Sequence, residues 1–184
     1  MKSIENIENI ENKYVILRLD LNVPIKNGKI TDSNRIDKVM PTLEFLLKKK
    51  AKIIIISHVG RPKGKIVKEL SLELVSLYVK SKIKKEVLLL KENIFNLNKE
   101  DLFKSSKDEV ILLENIRFYP EEEANDDKFS KKLASLGEIY VNDAFSCSHR
   151  DHASVSKITR YIPCLLYTSP SPRDISGSRM PSSA

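Results

Sequence analysis

His58 and Arg61 stand three residues apart in Ser57-His58-Val59-Gly60-Arg61-Pro62-Lys63-Gly64, a loop that two glycines and a proline hold in a defined shape. An imidazole can donate a ring N–H, and a guanidinium presents a planar fork of donors matched to phosphate or carboxylate. Together they point to an anion site. The chain holds 24 lysines against only 8 arginines, so lysine is its ordinary surface cation and arginine its selective one. Arg173 and Arg179 fall in a Ser/Pro-rich C-terminal stretch. Of the other six, Arg18, Arg35, Arg61, Arg117 and Arg150 lie inside or beside polar loops, and only Arg160 does not. All three histidines, His58, His149 and His152, occupy the same loops.

The elements that must position these groups are short apolar runs alternating with amphipathic ones. Ile53-Ile54-Ile55-Ile56 reads as a strand buried on both faces, and it releases the His58 loop at its carboxyl end. Tyr14–Leu17 is a strand before it, after which Arg18, Asp20 and Asn22 alternate onto one side. Lys26–Lys29 is a turn signal, and Thr31–Asn34 offers N-caps for a helix carrying Ile36, Val39, Met40, Leu43, Leu46 and Leu47, with Pro41 inside it as a possible kink. Ser71 is placed to cap a second helix built on Leu72, Val75 and Val79. Glu86–Leu90 and Glu109–Leu113 are further strands, the latter emptying into Glu114-Asn115-Ile116-Arg117-Phe118. An acidic loop, Glu121–Asp127, leads to a helix with Phe129, Leu133 and Leu136 on one face. The strand Ile139–Val141 then runs into Asn142-Asp143-Ala144-Phe145 and the Ser146–His152 loop. Such alternation predicts an α/β fold: a parallel open sheet with helices on both faces, Rossmann-like. In that architecture ligands bind beyond the carboxyl ends of the strands, and four of the five loops at that edge carry an arginine. Asn142 and Asp143 are read as structural, holding the fifth loop.

The three segments expected are a frayed or weakly helical lead-in over residues 1–12, an α/β domain over 13–163 and a disordered, non-native tail over 164–184. Composition is that of a soluble domain, 41% hydrophobic and 31% charged, without a run long enough to span a membrane and with no targeting signal visible. Two cysteines make no disulfide framework, which suits a reducing compartment. Net charge of +7 permits an anionic partner, nucleic acid included, but no aromatics interleave the basic residues as base stacking would require. Neither G-x-x-x-x-G-K-[ST] nor G-x-G-x-x-G occurs, so side chains rather than a backbone cradle must bind the anion. Cys147, His149 and His152 have ligand types but, His58 aside, no partner loop to complete a zinc site, and a Cys147–His149 nucleophile is no better supported.

The motifs Arg18-Leu-Asp20-Leu-Asn22-Val-Pro24, Thr31-Asp-x-x-Arg35-Ile, Ser57–Gly64, Leu113-Glu-Asn-Ile-Arg117-Phe and Val141-Asn-Asp-Ala-Phe followed by His149-Arg150-x-His152-Ala-Ser occur in this order. As a set they resemble the amino-terminal domain of the phosphoglycerate kinase family, over about residues 13–163. The resemblance implies reversible phosphoryl transfer from Mg-ATP to 3-phosphoglycerate, giving 1,3-bisphosphoglycerate and ADP. It implies that His58, Arg61, Arg117 and Arg150 hold the 3-phosphate, that Asp20 and Asn22 take the hydroxyl end of the glycerate, and that Arg35 faces the carboxylate and stabilises the phosphoryl group in transit. No general base is required, because the attacking carboxylate is already ionised at neutral pH. The nucleotide and its metal fall to a carboxyl-terminal domain in the family, so this chain is expected to be a fragment with the acid-substrate half, inactive alone. A cytoplasmic enzyme, monomeric when full length, with no nucleic-acid or membrane partner, is the accompanying expectation. Departures from the family pattern are Ser146-Cys147-Ser148 in place of Gly-Thr-Ala, Asp151 beside Arg150, and Lys50 where a helix-ending glycine is common. The competing readings are a basic nucleic-acid-binding domain and a stand-alone phosphate-binding module.

Overall fold

The computed structural model describes residues 4, 7–104 and 110–166. Its elements are β1 (Tyr14–Leu19), a hairpin of β2 (Ile25–Lys26) and β3 (Lys29–Ile30), α1 (Asn34–Lys48), β4 (Lys52–Ile56), α2 (Glu73–Ile83), β5 (Val87–Leu90), β6 (Val110–Leu113), α3 (Pro120–Glu123), α4 (Asp127–Ser135), β7 (Ile139–Asp143) and β8 (Cys164–Leu166). Six strands form one sheet in the order β5-β6-β4-β1-β7-β8, and every pair in it is parallel. The hairpin, whose turn puts Asn27 and Gly28 at positive φ, pairs antiparallel outside that sheet.

Period-two alternation splits the core between the two faces. Ile53 and Ile55 of β4 point with Leu17, Val110 and Val141 toward α1 and α2, while Ile54 and Ile56 join Ile16, Ile111 and Tyr140 under α4 and its flanking turns. α1 presents Ile36, Met40, Leu43 and Leu46 to the first face and continues through Pro41. It closes as a Schellman motif: the Ala51 N–H reaches the Leu46 carbonyl, the Lys50 N–H reaches that of Leu47, and Lys50 takes the left-handed position with φ +56°. A lysine therefore does there what glycine does without strain.

Two expectations change at the ends of the chain. Ile4 and Ile10 are buried in the first core cluster, and the Asn12 N–H bonds to Lys50 O. The lead-in is thus packed where it is described; residues 1–3, 5 and 6 lie outside the described residues. At the other end Cys164–Leu166 is a parallel edge strand on β7, with Cys164 opposite Tyr140, so the predicted tail does not begin at 164. Three residues carry no readable periodicity, and backbone pairing to a neighbouring strand leaves no mark in composition. Residues 167–184, the rest of that segment, lie outside the described residues, as does Glu109 at the start of the predicted fourth strand.

Asp143, the last residue of β7, accepts a hydrogen bond from the Thr42 hydroxyl of α1 at 2.5 Å. Burial pushes its carboxyl up to about 6, against the pull of that hydrogen bond. Its folded pKa lies above its unfolded one, so the linked stability is present below about pH 4 and is lost as pH rises through about 6. Asp143→Asn, which keeps an acceptor for Thr42, should flatten this. Relative to wild type its Tm should gain several degrees at pH 8 and nothing at pH 4, a difference of roughly 1–2 kcal/mol after allowing for partial exposure. Parallel pH profiles for the two proteins would refute it.

Candidate functional site

At the carboxyl edge of β1, β4, β6 and β7 lies a pocket of about 350 Å³. Six of the seven predicted site residues line it: Asn22, Arg35, His58, Arg61, Arg117 and Arg150. The seventh, Asp20, is behind Arg35 and forms an ion pair with it at 3.1 Å. Gly60, Ser146 and Cys147 complete the wall. The loop after β5 takes no part.

The loops are tied to one another by buried polar groups. Ser57, at the end of β4, donates to Leu19 O at 2.7 Å and accepts from the Leu21 N–H, fixing the first loop against the second. Asn115 is fully buried; its amide donates to Val59 O and Leu70 O, and its side-chain oxygen accepts the Arg117 N–H. The Gly60 N–H donates to Asn22 Oδ1 at 2.9 Å, while the Gly60 carbonyl accepts from Arg117 Nη1 at 3.3 Å. Gly60 and Gly64 both sit at positive φ, and a Cβ there would come within 2.7 Å of Leu70 and 2.8 Å of Pro120. At Gly64 the obstacle is the Pro120 ring and backbone, and at Gly60 a side chain would be strained by φ and would have to displace Leu70. The loop following β4 is clamped between β1 and the 3-10 turn Ile116–Phe118.

Glu122, in the short helix α3, performs the same task for the fifth loop. The acidic loop expected over Glu121–Asp127 begins instead as the helix Pro120–Glu123, and Glu122 within it is 0% exposed. Its carboxylate accepts the Ser154 hydroxyl at 2.5 Å and the Ser154 N–H at 2.9 Å, and its carbonyl accepts the Ala153 N–H. The Tyr140 hydroxyl donates to Ser154 O at 2.5 Å from the sheet below. The segment carrying Arg150 and His152 is thereby bound to the helix that follows Arg117. Asn142 Oδ1 accepts the Ala144 N–H, and Asp143 is engaged by Thr42, so both hold the fifth loop as expected.

Positive charge is concentrated and partly unpaired here. Arg117 is 4% exposed, and its Nε and Nη2 have no partner among the described residues. Arg18 shares the parity of Ile16 and is fully buried rather than released at the strand end, with none of its three guanidinium nitrogens partnered among the described residues. Burial, followed by the charges of Arg117, Arg18 and Arg150, pushes the His58 imidazole down to about 2. At neutral pH His58 is uncharged and offers a single N–H. Burial likewise lowers the Arg117 guanidinium and the half-buried His152, and it raises the Glu122 carboxyl despite the nearby Arg18 charge. His149 is exposed. No group of three or more His, Cys, Asp or Glu side chains able to hold a metal ion occurs among the described residues. None of the described helices is long and apolar enough to cross a membrane.

This geometry has a family. The sequence model for phosphoglycerate kinase matches residues 4–167. The chain belongs to the phosphoglycerate kinase family. Phosphoglycerate kinase of Wolbachia pipientis subsp. Culex pipiens (strain wPip) is 48% identical over 165 residues, covering 89% of this chain and 41% of that protein. The Dictyoglomus turgidum enzyme is 47% identical over 156 residues, covering 85% and 39%. Among solved structures, phosphoglycerate kinase from Coxiella burnetii superposes with a TM-score of 0.80 at 36% identity, covering 95% of this chain and 42% of that one. That from Pyrococcus horikoshii OT3 gives 0.75 at 31%, covering 91% and 42%. The chain thus spans about two-fifths of the length of its phosphoglycerate kinase relatives.

Residues that sequence reasoning passed over are those that support rather than line the pocket. Ser57 and Asn115 lie inside motifs singled out for their neighbours. Arg18 stood in the first motif and in the right alternation, but nothing in a sequence says that an arginine is buried. Glu122 is one of three consecutive glutamates, with no signal to separate it from the two beside it.

Proposed function

We propose that this chain is the acid-substrate half of a phosphoglycerate kinase, which transfers a phosphoryl group reversibly between Mg-ATP and 3-phosphoglycerate, with 1,3-bisphosphoglycerate and ADP as the other pair. The observation that carries the reading is Arg117: a nearly buried guanidinium with two nitrogens unpaired among the described residues, in a pocket that also receives His58, Arg61 and Arg150. Buried donors left without acceptors are costly, and a phosphate dianion supplies acceptors and opposite charge together. On this reading Arg117, Arg61, Arg150 and the N–H of neutral His58 hold the 3-phosphate. Asn22, whose oxygen is committed to Gly60, turns its amide N–H to the glycerate, and Asp20 accepts its hydroxyl. Arg35, on the first turn of α1 and half exposed, faces the carboxylate and the phosphoryl group in flight. Phosphoryl transfer needs little more from these residues than positioning and charge stabilisation.

Residues 13–163 form the substrate unit in this reading. In this reading the nucleotide and its magnesium belong to the carboxyl-terminal domain of the family. The setting is a cytoplasmic enzyme, monomeric at full length. A pocket of about 350 Å³ suits a small anion better than an extended nucleic-acid strand, which needs a basic track with stacking aromatics.

Titration calorimetry on the 184-residue chain tests the reading. 3-Phosphoglycerate should bind, and Mg-ATP should bind at least tenfold more weakly or not at all. Tighter binding of Mg-ATP would overturn the assignment.

A further inference from the structure

Asp20 is the point at which three segments of the site meet, and its acceptor capacity is already in use. Oδ1 accepts the Asn22 N–H at 3.2 Å, within its own loop. Arg35 Nη1, from α1, reaches Oδ2 at 3.1 Å and Oδ1 at 3.4 Å. Ser146, from the loop after β7 and 126 residues away in sequence, donates its hydroxyl to Oδ2 at 2.6 Å. A carboxylate offers about four lone-pair sites, and these four contacts fill them. A ligand hydroxyl can therefore be accepted by Asp20 only if one donor withdraws. The three are not equal in this respect. The Asn22 N–H is fixed by the backbone, and the Ser146 contact is the shortest. Arg35 is the mobile one: its side chain is 53% exposed, and its contact is divided between two oxygens.

We propose that Asp20 and Arg35 form an exchangeable pair: a ligand carboxylate takes Arg35, the hydroxyl on the adjacent carbon takes the acceptor position Arg35 leaves, and Ser146 holds Asp20 in place throughout. The proposal rests on the reading of this pocket as a 3-phosphoglycerate site and deepens it. Neither group of the ligand is then recognised alone. A carboxylate without the hydroxyl draws Arg35 away and strands an acceptor on Asp20, while a hydroxyl without the carboxylate finds that acceptor occupied. The site becomes selective for a 2-hydroxy acid as one unit. Arg35 trades one carboxylate for another, so Arg35→Ala changes ground-state affinity little even though Arg35 touches the ligand. Ser146 is a positioning residue here. When Arg35 leaves, it is the remaining tether from outside Asp20's own loop.

Four phosphates make the test a closed cycle on the 184-residue chain, read by calorimetry. They are 3-phosphoglycerate, its 2-deoxy analogue 3-(phosphonooxy)propanoate, glycerol 3-phosphate with CH₂OH in place of the carboxylate, and 3-hydroxypropyl phosphate lacking both groups. Removing the 2-hydroxyl should cost at least tenfold in Kd when the carboxylate is present and less than twofold when it is absent. Ser146→Ala should weaken 3-phosphoglycerate by fivefold or more while leaving the 2-deoxy acid within twofold, and Ser146→Thr should restore the difference. Equal cost of the hydroxyl in both pairs, with 3-phosphoglycerate still bound, overturns the exchange and leaves the assignment of the pocket standing. No binding of 3-phosphoglycerate at all overturns the assignment and the exchange with it. Ser146 is exposed, and the ligand cycle in wild type decides the matter even if its variants fail to fold.

Discussion

Arg117→Ala should reduce the affinity of the chain for 3-phosphoglycerate by two orders of magnitude or more. Each charge-assisted contact to a phosphate contributes about 1.5–3 kcal/mol, and Arg117 has two unpaired nitrogens to offer. Their combined loss is roughly 3–6 kcal/mol, where about 1.4 kcal/mol is a factor of ten. The truncation also removes the contact to the Gly60 carbonyl, which helps aim the loop carrying His58 and Arg61. Arg117→Lys should recover little, because an ammonium cannot reproduce the planar fork at a site where the stem is enclosed. Arg160→Ala, in the turn Lys157–Arg160 away from the pocket, serves as the control and should leave Kd unchanged. Calorimetry on variants shown to be folded by circular dichroism measures all three. An Arg117→Ala protein that binds within threefold of wild type would remove the central phosphate ligand from the assignment.

The largest effect on stability should come from Glu122. Glu122→Ala deletes the acceptor for both the Ser154 hydroxyl and its N–H, each then buried without a partner, and leaves a cavity beneath the fifth loop. About 3–5 kcal/mol is expected from those causes together, a large share of the 5–15 kcal/mol typical of a whole domain. Glu122→Gln should be far milder, since its oxygen can accept the Ser154 N–H and its amide can donate to the hydroxyl. The two should also respond differently to pH. Burial raises the Glu122 carboxyl above its unfolded value, so between the two values the folded form holds a proton the unfolded chain has released. That contribution is present below the ordinary glutamate range and lost as pH rises through the folded value. The Gln protein should therefore gain on wild type as pH increases. Urea unfolding at a series of pH values gives both results. An alanine variant within 1 kcal/mol of wild type would show that the fifth loop is held by something else.

Much of this was legible from residue type and spacing, for reasons that can be given element by element. The isoleucine run of β4 and the stripe on α1 are periodic over enough residues to declare themselves, and the strand-end loops follow from them. The four pocket arginines, the histidine and the asparagine drew notice because they stand in or beside loops, where apolar packing gives no reason for them. What stayed hidden is whatever depends on burial or on distant pairing. Arg18 looks like a strand-end cation until the sheet covers it. Glu122 looks like its neighbours until Ser154, 32 residues on, comes to meet it. Cys164–Leu166 becomes a strand only because β7 presents an unpaired edge to it, and the burial of Ile4 and Ile10 depends on a surface assembled by the rest of the fold. Ser146 was noted as a departure in residue type, but its bond to Asp20 spans 126 residues and has no local trace.

The buried guanidiniums of Arg18, without a partner among the described residues, and Arg117, with one, have a consequence for the folded state itself, Arg150 being close enough to affect the same histidine. Like charges gathered here, offset only in part by carboxylates such as Glu123 beside Arg117, raise the free energy of the native form relative to the unfolded chain, in which they are far apart and hydrated. A dianion that enters the pocket cancels part of that repulsion and binds the native form alone. Mass action would then tie conformational stability to the concentration of such an anion: at a hundred times its dissociation constant a ligand adds about 2.7 kcal/mol. The lifetime of such a protein against unfolding and proteolysis should then depend in part on the supply of the anion its pocket takes.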